Sequence, residues 1–243
     1  MSFGRLFFLL ILCGCVSDWR PSPDFNYKVI EAGGFDIVTW GKLTDNVSPV
    51  HIYIEGDGHS FDSHGFPTAD PTPRSTFMRD LAMSNTTPNV VYVARPCQFI
   101  MSETCKESDW TDGRFSKRVV DSMASVVRKV SDKRPIVLVG YSGGAMITGL
   151  IIDNYPDLNV QKWITIAGVL NHKIWTDYFG DSPLKSSMYL DKLPNVSQRH
   201  YVAKNDKVVP ISLTFAVANP EDIVVVENAT HDNFGQLKLD FSI

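Results

Sequence analysis

Ile136-Val137-Leu138-Val139-Gly140-Tyr141-Ser142-Gly143-Gly144 is the stretch on which the reading of this chain turns. Four aliphatic residues after Pro135 form a short strand of the fully buried kind. They run directly into Gly-x-Ser-x-Gly, and a helical stretch follows to about Asn154. A strand that ends in this pentapeptide and reverses at once into a helix forces the serine into a strained backbone conformation. The flanking glycines remove the side-chain clashes of so sharp a turn. The hydroxyl is left exposed at a helix N-terminus, whose unpaired N–H groups favour developing negative charge. The pentapeptide alone is a weak signal; its place between a buried strand and a helix makes Ser142 a candidate nucleophile.

Working outward, strands and helices alternate. Phe35–Trp40, Val50–Ile54, Asn89–Ala94, Trp163–Ala167, Arg199–Ala203 and Ile223–Val226 are strand-like. Val119, Val120, Met123, Val126, Val127 and Val130 recur at helical spacing. This rhythm predicts an α/β fold, a single domain over 27–243 with a mostly parallel central sheet and helices on both faces, with Ile136–Val139 near its centre. A short amphipathic tail from Asn233 closes the chain. Three excursions break the rhythm, at 58–73, 95–114 and 171–197. Each follows a strand at what would be the carboxyl edge of the sheet, where open α/β folds place their sites.

The composition excludes several classes. The chain has 243 residues, 44% hydrophobic and 21% charged, a net charge of −4 and a pI near 5.8. No basic stripe is present to displace counterions, so nucleic acid is not an expected partner. The histidines lack metal-site spacing, and neither a metal nor another cofactor is expected. Residues 1–14 read as an export signal: Arg5, then the apolar run Leu6–Leu12, too short for the ~20 residues of a membrane span. Its end, Leu12-Cys13-Gly14-Cys15, resembles a bacterial lipobox. That resemblance implies cleavage before Cys15, lipid attachment to it and, with Val16 following, a place at the outer membrane. Secretory cleavage without lipid is the alternative. Residues 15–26, with Pro21 and Pro23, read as anchor and tether. Two cysteines then remain, Cys97 and Cys105, eight positions apart in one loop of an exported protein, which points to a disulfide. Closing so short a loop contributes roughly 2–3 kcal/mol in the chain-entropy model. Two buried free thiols are the alternative.

A serine hydroxyl needs an oriented base to take its proton. Asp206 lies just past the strand Tyr201-Val202-Ala203, and His231 just past Val224-Val225-Val226, 25 residues later. If these strands are parallel neighbours, their ends bring carboxylate and imidazole together, in the chain order Ser, acid, His. Asp177 and Asp181 are rival acids without a preceding strand. His51, His172 and His200 read as packing or rim residues. For a developing oxyanion, the expected donors are the backbone N–H of Gly143 and, from the Glu55-Gly56-Asp57-Gly58 loop, that of Asp57.

With these residues in place, the mature chain resembles the α/β-hydrolase superfamily over nearly its whole length. More narrowly it is similar to a group of bacterial exported α/β-hydrolases, through Tyr53–Gly58, Asp70–Arg74, Arg95-Pro96-Cys97-Gln98 and Ala167–His172. Asn171 stands where that group is expected to carry Asp, and Glu55-Gly56 where the superfamily usually has His-Gly. The resemblance implies a serine hydrolase fold and triad, with a Ser142 acyl-enzyme, but no settled substrate. The three excursions are short for a lidded site, so a small-molecule ester of a small or medium acyl group, or a thioester, is the expected substrate. A peptidase or amidase on the same residues and a non-catalytic, lipid-anchored binding protein are the competing readings.

Overall fold

The computed structural model describes residues 19–242. The expected signal over 1–14, Cys15 and the start of the tether lie outside the described residues. In chain order the elements are β1 (Asn26–Ala32), β2 (Phe35–Leu43), β3 (Val50–Ile54), α1 (Phe77–Ser84), β4 (Asn89–Val93), α2 (Lys117–Ser131), β5 (Ile136–Tyr141), α3 (Gly143–Asn154), β6 (Val160–Ile166), α4 (His172–Phe179), β7 (Ser197–Ala203), α5 (Ile211–Phe215) and β8 (Ile223–Val226). The strands form one eight-stranded sheet in the order β1-β2-β4-β3-β5-β6-β7-β8. β2 runs antiparallel to both β1 and β4, and every other pairing is parallel.

Every residue of β3, β4 and β5 is buried, as parallel strands covered on both faces must be. The two-residue period of the strands then splits the core. Ile52, Ile54, Ile136 and Leu138 enter the layer shared with Val119, Met123 and Val127 of α2 and Ala145, Met146 and Leu150 of α3. Tyr53, Val137, Val139 and Tyr141 enter the opposite layer with Met78 and Ala82 of α1 and Phe234 of the C-terminal tail. α2 is capped by Ser116, whose hydroxyl accepts from Val119 N, and it ends at Asp132 in the left-handed region, before Pro135.

Four features escape the sequence reading. β1 is mostly exposed, and its apolar residues show no alternating buried face that marks it; it is held by backbone pairing to β2 across a tight Gly33-Gly34 turn. α1 and α4 each have only eight residues, too few for a clear period, and α4 lies inside the 171–197 excursion. α5 is shorter still, with five residues. Residues 19–25, in the second half of the expected tether, lie on the domain: Trp19 packs edge-on against Trp40 at 5.3 Å and donates to Asp80, and Phe25 is buried.

Candidate active site

Ser142 is the N-cap of α3, with φ 50° and ψ −121°. A positive φ on a residue with a Cβ is a conformation that costs of order 1–3 kcal/mol unless its surroundings enforce it. They do so here through three backbone bonds. Ser142 N donates to Ile166 O at 3.0 Å, and its carbonyl accepts from Ala145 N at 3.1 Å and Val169 N at 3.0 Å. The turn is also pinned sterically, because a Cβ on Gly144 would stand 2.5 Å from the carbonyl oxygens of both Ile54 and Glu55. The end of β3 therefore touches the start of α3.

β7 and β8 are parallel neighbours, as the chain order required, with Ala203 opposite Val226. The loops beyond them are stitched together by Lys204 N to Val226 O and Asn205 N to Ala229 O, at 3.1 and 3.2 Å. The Asp206 side chain is fully enclosed, and its Oδ1 accepts from Val208 N and Val209 N, both at 2.8 Å. His231 Nδ1 lies 2.9 Å from Oδ2 and 3.1 Å from Oδ1 of Asp206, and its Nε2 lies 3.1 Å from Ser142 Oγ. A carboxylate can only accept, so it assigns the imidazole proton to Nδ1 and leaves the Nε2 lone pair facing the hydroxyl. The structure thus brings Ser142, His231 and Asp206 into one hydrogen-bonded line. Asp177 and Asp181 are exposed and stand apart from it. His200 is buried within β7 against Thr165, and His51 is buried against Asn85. Burial pushes both imidazoles down to about 4.

Tyr141, the first of the two variable residues of the pentapeptide, has a role that the motif does not announce. Its hydroxyl donates to Asp232 at 2.6 Å, and its ring lies 5.4 Å from that of His231. Burial, with the adjacent Asp232 carboxylate, drives the hydroxyl pKa far above its usual range, so it stays a donor. The residue beside the serine therefore fixes the turn that carries the histidine. Nothing in a Gly-x-Ser-x-Gly pattern specifies that.

The Glu55–Gly58 loop lies on the other side of Ser142. A Cβ on Gly56 would be 3.1 Å from Ser142 Cβ, and one on Gly143 would run into the Asp57 carboxylate. The Asp57 N–H donates to no acceptor among the described residues. Gly143 opens α3, where N–H groups have no intrahelical carbonyl to reach. Both groups expected as oxyanion donors thus flank Ser142, on touching segments. The loop is held by charge rather than by packing. Asp57 contacts Arg95 Nη1 and, at 3.1 Å, Arg114 Nε. Gln98 Nε2 donates to Gly56 O at 3.0 Å, while Gln98 Oε1 accepts from Arg95 N at 2.9 Å. The same turn carries Cys97, disulfide-bonded to Cys105. Glu55, in the place of the usual histidine, accepts from Gly56 N at 2.9 Å and Tyr92 OH at 2.7 Å; burial raises its pKa. Asn171 caps α4, accepting from Lys173 N and Ile174 N, a task Asn and Asp perform equally well.

Ser142 and His231 open into a cavity of about 480 Å³ whose apolar wall includes Phe115, Val169, Trp175 and Val208. Each of the three excursions contributes to its lining. Among the described residues no cluster of three or more His, Cys, Asp or Glu side chains is placed to hold a metal ion.

The fold is that of the α/β hydrolases. A serine hydrolase without lid from Xanthomonas campestris superposes with a TM-score of 0.54 at 12% identity, covering 86% of this chain and 87% of the other. An alpha-beta serine hydrolase homologue from Coxiella burnetii gives 0.56 at 16% identity, over 85% and 89% of the two chains. The thioesterase domain from the curacin biosynthetic pathway gives 0.54 at 13% identity, over 86% and 94%. No family model and no curated sequence matches the chain.

Proposed function

We propose that this protein is a serine hydrolase that cleaves carboxylic esters of small or medium acyl groups, or thioesters, through a Ser142 acyl-enzyme. The observation that carries the reading is the continuous line from Asp206 through Nδ1 and Nε2 of His231 to Ser142 Oγ. In this reading His231 takes the hydroxyl proton as Ser142 Oγ attacks the carbonyl carbon. Asp206 holds the imidazole in the required tautomer and stabilises the imidazolium. The Gly143 and Asp57 N–H groups stabilise the tetrahedral oxyanion, at ~3–4 kcal/mol per donor. His231 then returns the proton to the departing alcohol or thiol, and water repeats the sequence to release the acid. A cavity of about 480 Å³ suits a compact acyl group. The superposed hydrolases and thioesterase domain share the fold and support the reaction class.

Labelling with a fluorophosphonate serine probe tests the reading. The native protein is expected to label, Ser142→Ala to lose the label entirely, and His231→Ala to lose nearly all of it. Full labelling of Ser142→Ala would remove Ser142 from the mechanism.

We also propose that the protein works outside the cytoplasm, tethered by lipid on Cys15. The 1–15 segment and the Cys97–Cys105 bridge support that setting, since disulfides persist in oxidising compartments. Incorporation of labelled palmitate, and its loss in Cys15→Ser, is the expected result.

A further inference from the structure

Arg114 is 4% exposed, yet it forms part of the lining of the cavity beside Ser142. Its guanidinium lies among three aromatic rings, with centroid distances of 5.8 Å to Phe61, 5.4 Å to Phe115 and 5.7 Å to Trp175. That cage fixes its orientation and shields it from bulk water. Nη1 donates to Thr111 O at 2.9 Å, and Nε lies 3.1 Å from Asp57 in a charge contact not aligned as a hydrogen bond. Nη2 donates to no group among the described residues.

The local charge does not cancel. Asp57 is one carboxylate shared by two buried guanidiniums, Arg95 and Arg114. Both terminal nitrogens of Arg95 are engaged, Nη1 on Asp57 and Nη2 on Arg114 O. Of the further acids, Asp109 lines a small cavity with Arg95 and Arg114 but is paired with Arg118; the Glu55 oxygens already accept from Gly56 N and Tyr92 OH, and burial favours its neutral form. Asp232 also lines the cavity, but it is exposed, so water screens its charge, and it forms no ion pair with Arg114. Across the mouth, Arg74 is exposed, also lines the cavity, and has no ion-pair or hydrogen-bond partner among the described residues. A desolvated excess positive charge with an open donor is a standing invitation to an anion.

We propose that Arg114, assisted by Arg74, forms an anion subsite in the cavity, and that the preferred substrates carry a carboxylate besides the scissile ester or thioester. The substrate half of this proposal rests on the hydrolase reading; the anion site itself does not.

The test uses Ser142→Ala protein, in which no acyl-enzyme forms, so binding is read apart from turnover. Two anionic probes are compared with neutral 4-nitrophenyl pentanoate by calorimetry. The probe 4-nitrophenyl hydrogen glutarate carries its carboxylate on the acyl side, and 3-carboxy-4-nitrophenyl butyrate on the leaving group. At least one anionic probe is expected to bind about tenfold or more tightly than the neutral one, and to weaken as salt rises. The preference should disappear in Arg114→Gln and shrink in Arg74→Ala, an exposed replacement that leaves the fold intact. Equal binding of neutral and anionic probes overturns the subsite, as does a preference that survives both arginine variants. Hydrolysis of neutral and anionic esters at equal kcat/KM by the native enzyme would leave the hydrolase reading standing and remove the subsite. Anion-selective binding by a protein that hydrolyses no ester and takes no fluorophosphonate would do the reverse.

Discussion

The two sides of Ser142 are built by opposite means. On one side the elbow between β5 and α3 is held by three backbone hydrogen bonds, and the start of α3 is in close contact with the end of β3. On the other, the Gly56–Asp57 loop is held by side chains drawn from 38 to 57 residues further along the chain: Arg95, Gln98 and Arg114. The first is a product of backbone geometry, the second of buried charge. Backbone geometry can hold a single strained residue in place at modest cost. A charged clamp can tune the field at the oxyanion, but every partner in it must be present, because each guanidinium or carboxylate left alone in the interior is expensive.

That contrast can be broken most severely at Ser142. Ser142→Gly removes the hydroxyl and also the Cβ that makes φ 50° costly. Ester turnover is expected to fall by at least ~10⁴-fold while the unfolding free energy rises by about 1 kcal/mol. A marked fall in stability on urea unfolding would show that the elbow is not strained.

On the clamp side, Asp57→Asn leaves two buried guanidiniums without a counterion, and about 3–5 kcal/mol of stability should be lost together with most of kcat. Activity and stability thus move together at the loop and in opposite directions at the elbow. Unchanged melting of Asp57→Asn would mean that the arginines are neutralised elsewhere.

Acid should act on neither wall but on the core. His51 and His200 have folded values depressed to about 4 from the ordinary 6.5, so the unfolded chain binds the extra protons. Stability is therefore full above about pH 6.5 and is lost as pH falls from there towards 4, by up to about 3 kcal/mol for each histidine. Melting temperatures across pH 4–8 should show that slope, and His51→Gln should roughly halve it. A flat profile in the native protein would contradict buried neutral imidazoles.

The smallest effect belongs to the disulfide. Replacing Cys97 and Cys105 by Ala should cost roughly 2–3 kcal/mol of stability by the loop-entropy argument. Because Cys97 adjoins Gln98, which holds Gly56, kcat should drop by several-fold as well. Loss of stability with kcat untouched would show that the turn keeps its place without the bridge.

How much could be read in advance follows the same division. The strand at 136–139, the serine turn and the helix to Asn154 are contiguous, and hydrophobic period plus glycine spacing reports them directly. Asp206 and His231 were legible because each follows a strand, and parallel neighbours must align their ends. β1 escaped because most of its side chains are exposed and its backbone pairing with β2 is its main hold. The clamping roles of Arg95, Gln98 and Arg114 escaped because a polar side chain in a loop reads the same whether it faces water or a buried partner.

From its residues alone, then, this chain specified an alternating α/β order, a serine at a strand-to-helix turn, and an acid and histidine beyond two later strands. These are set by short-range sterics and by burial with a fixed period, and both leave marks along a linear sequence. Tertiary structure alone decided that Tyr141 grips the histidine turn, that two arginines share Asp57, and that one of them, Arg114, lines the cavity. Those outcomes depend on which distant charges meet in a medium of low polarity, and no spacing along the chain encodes that.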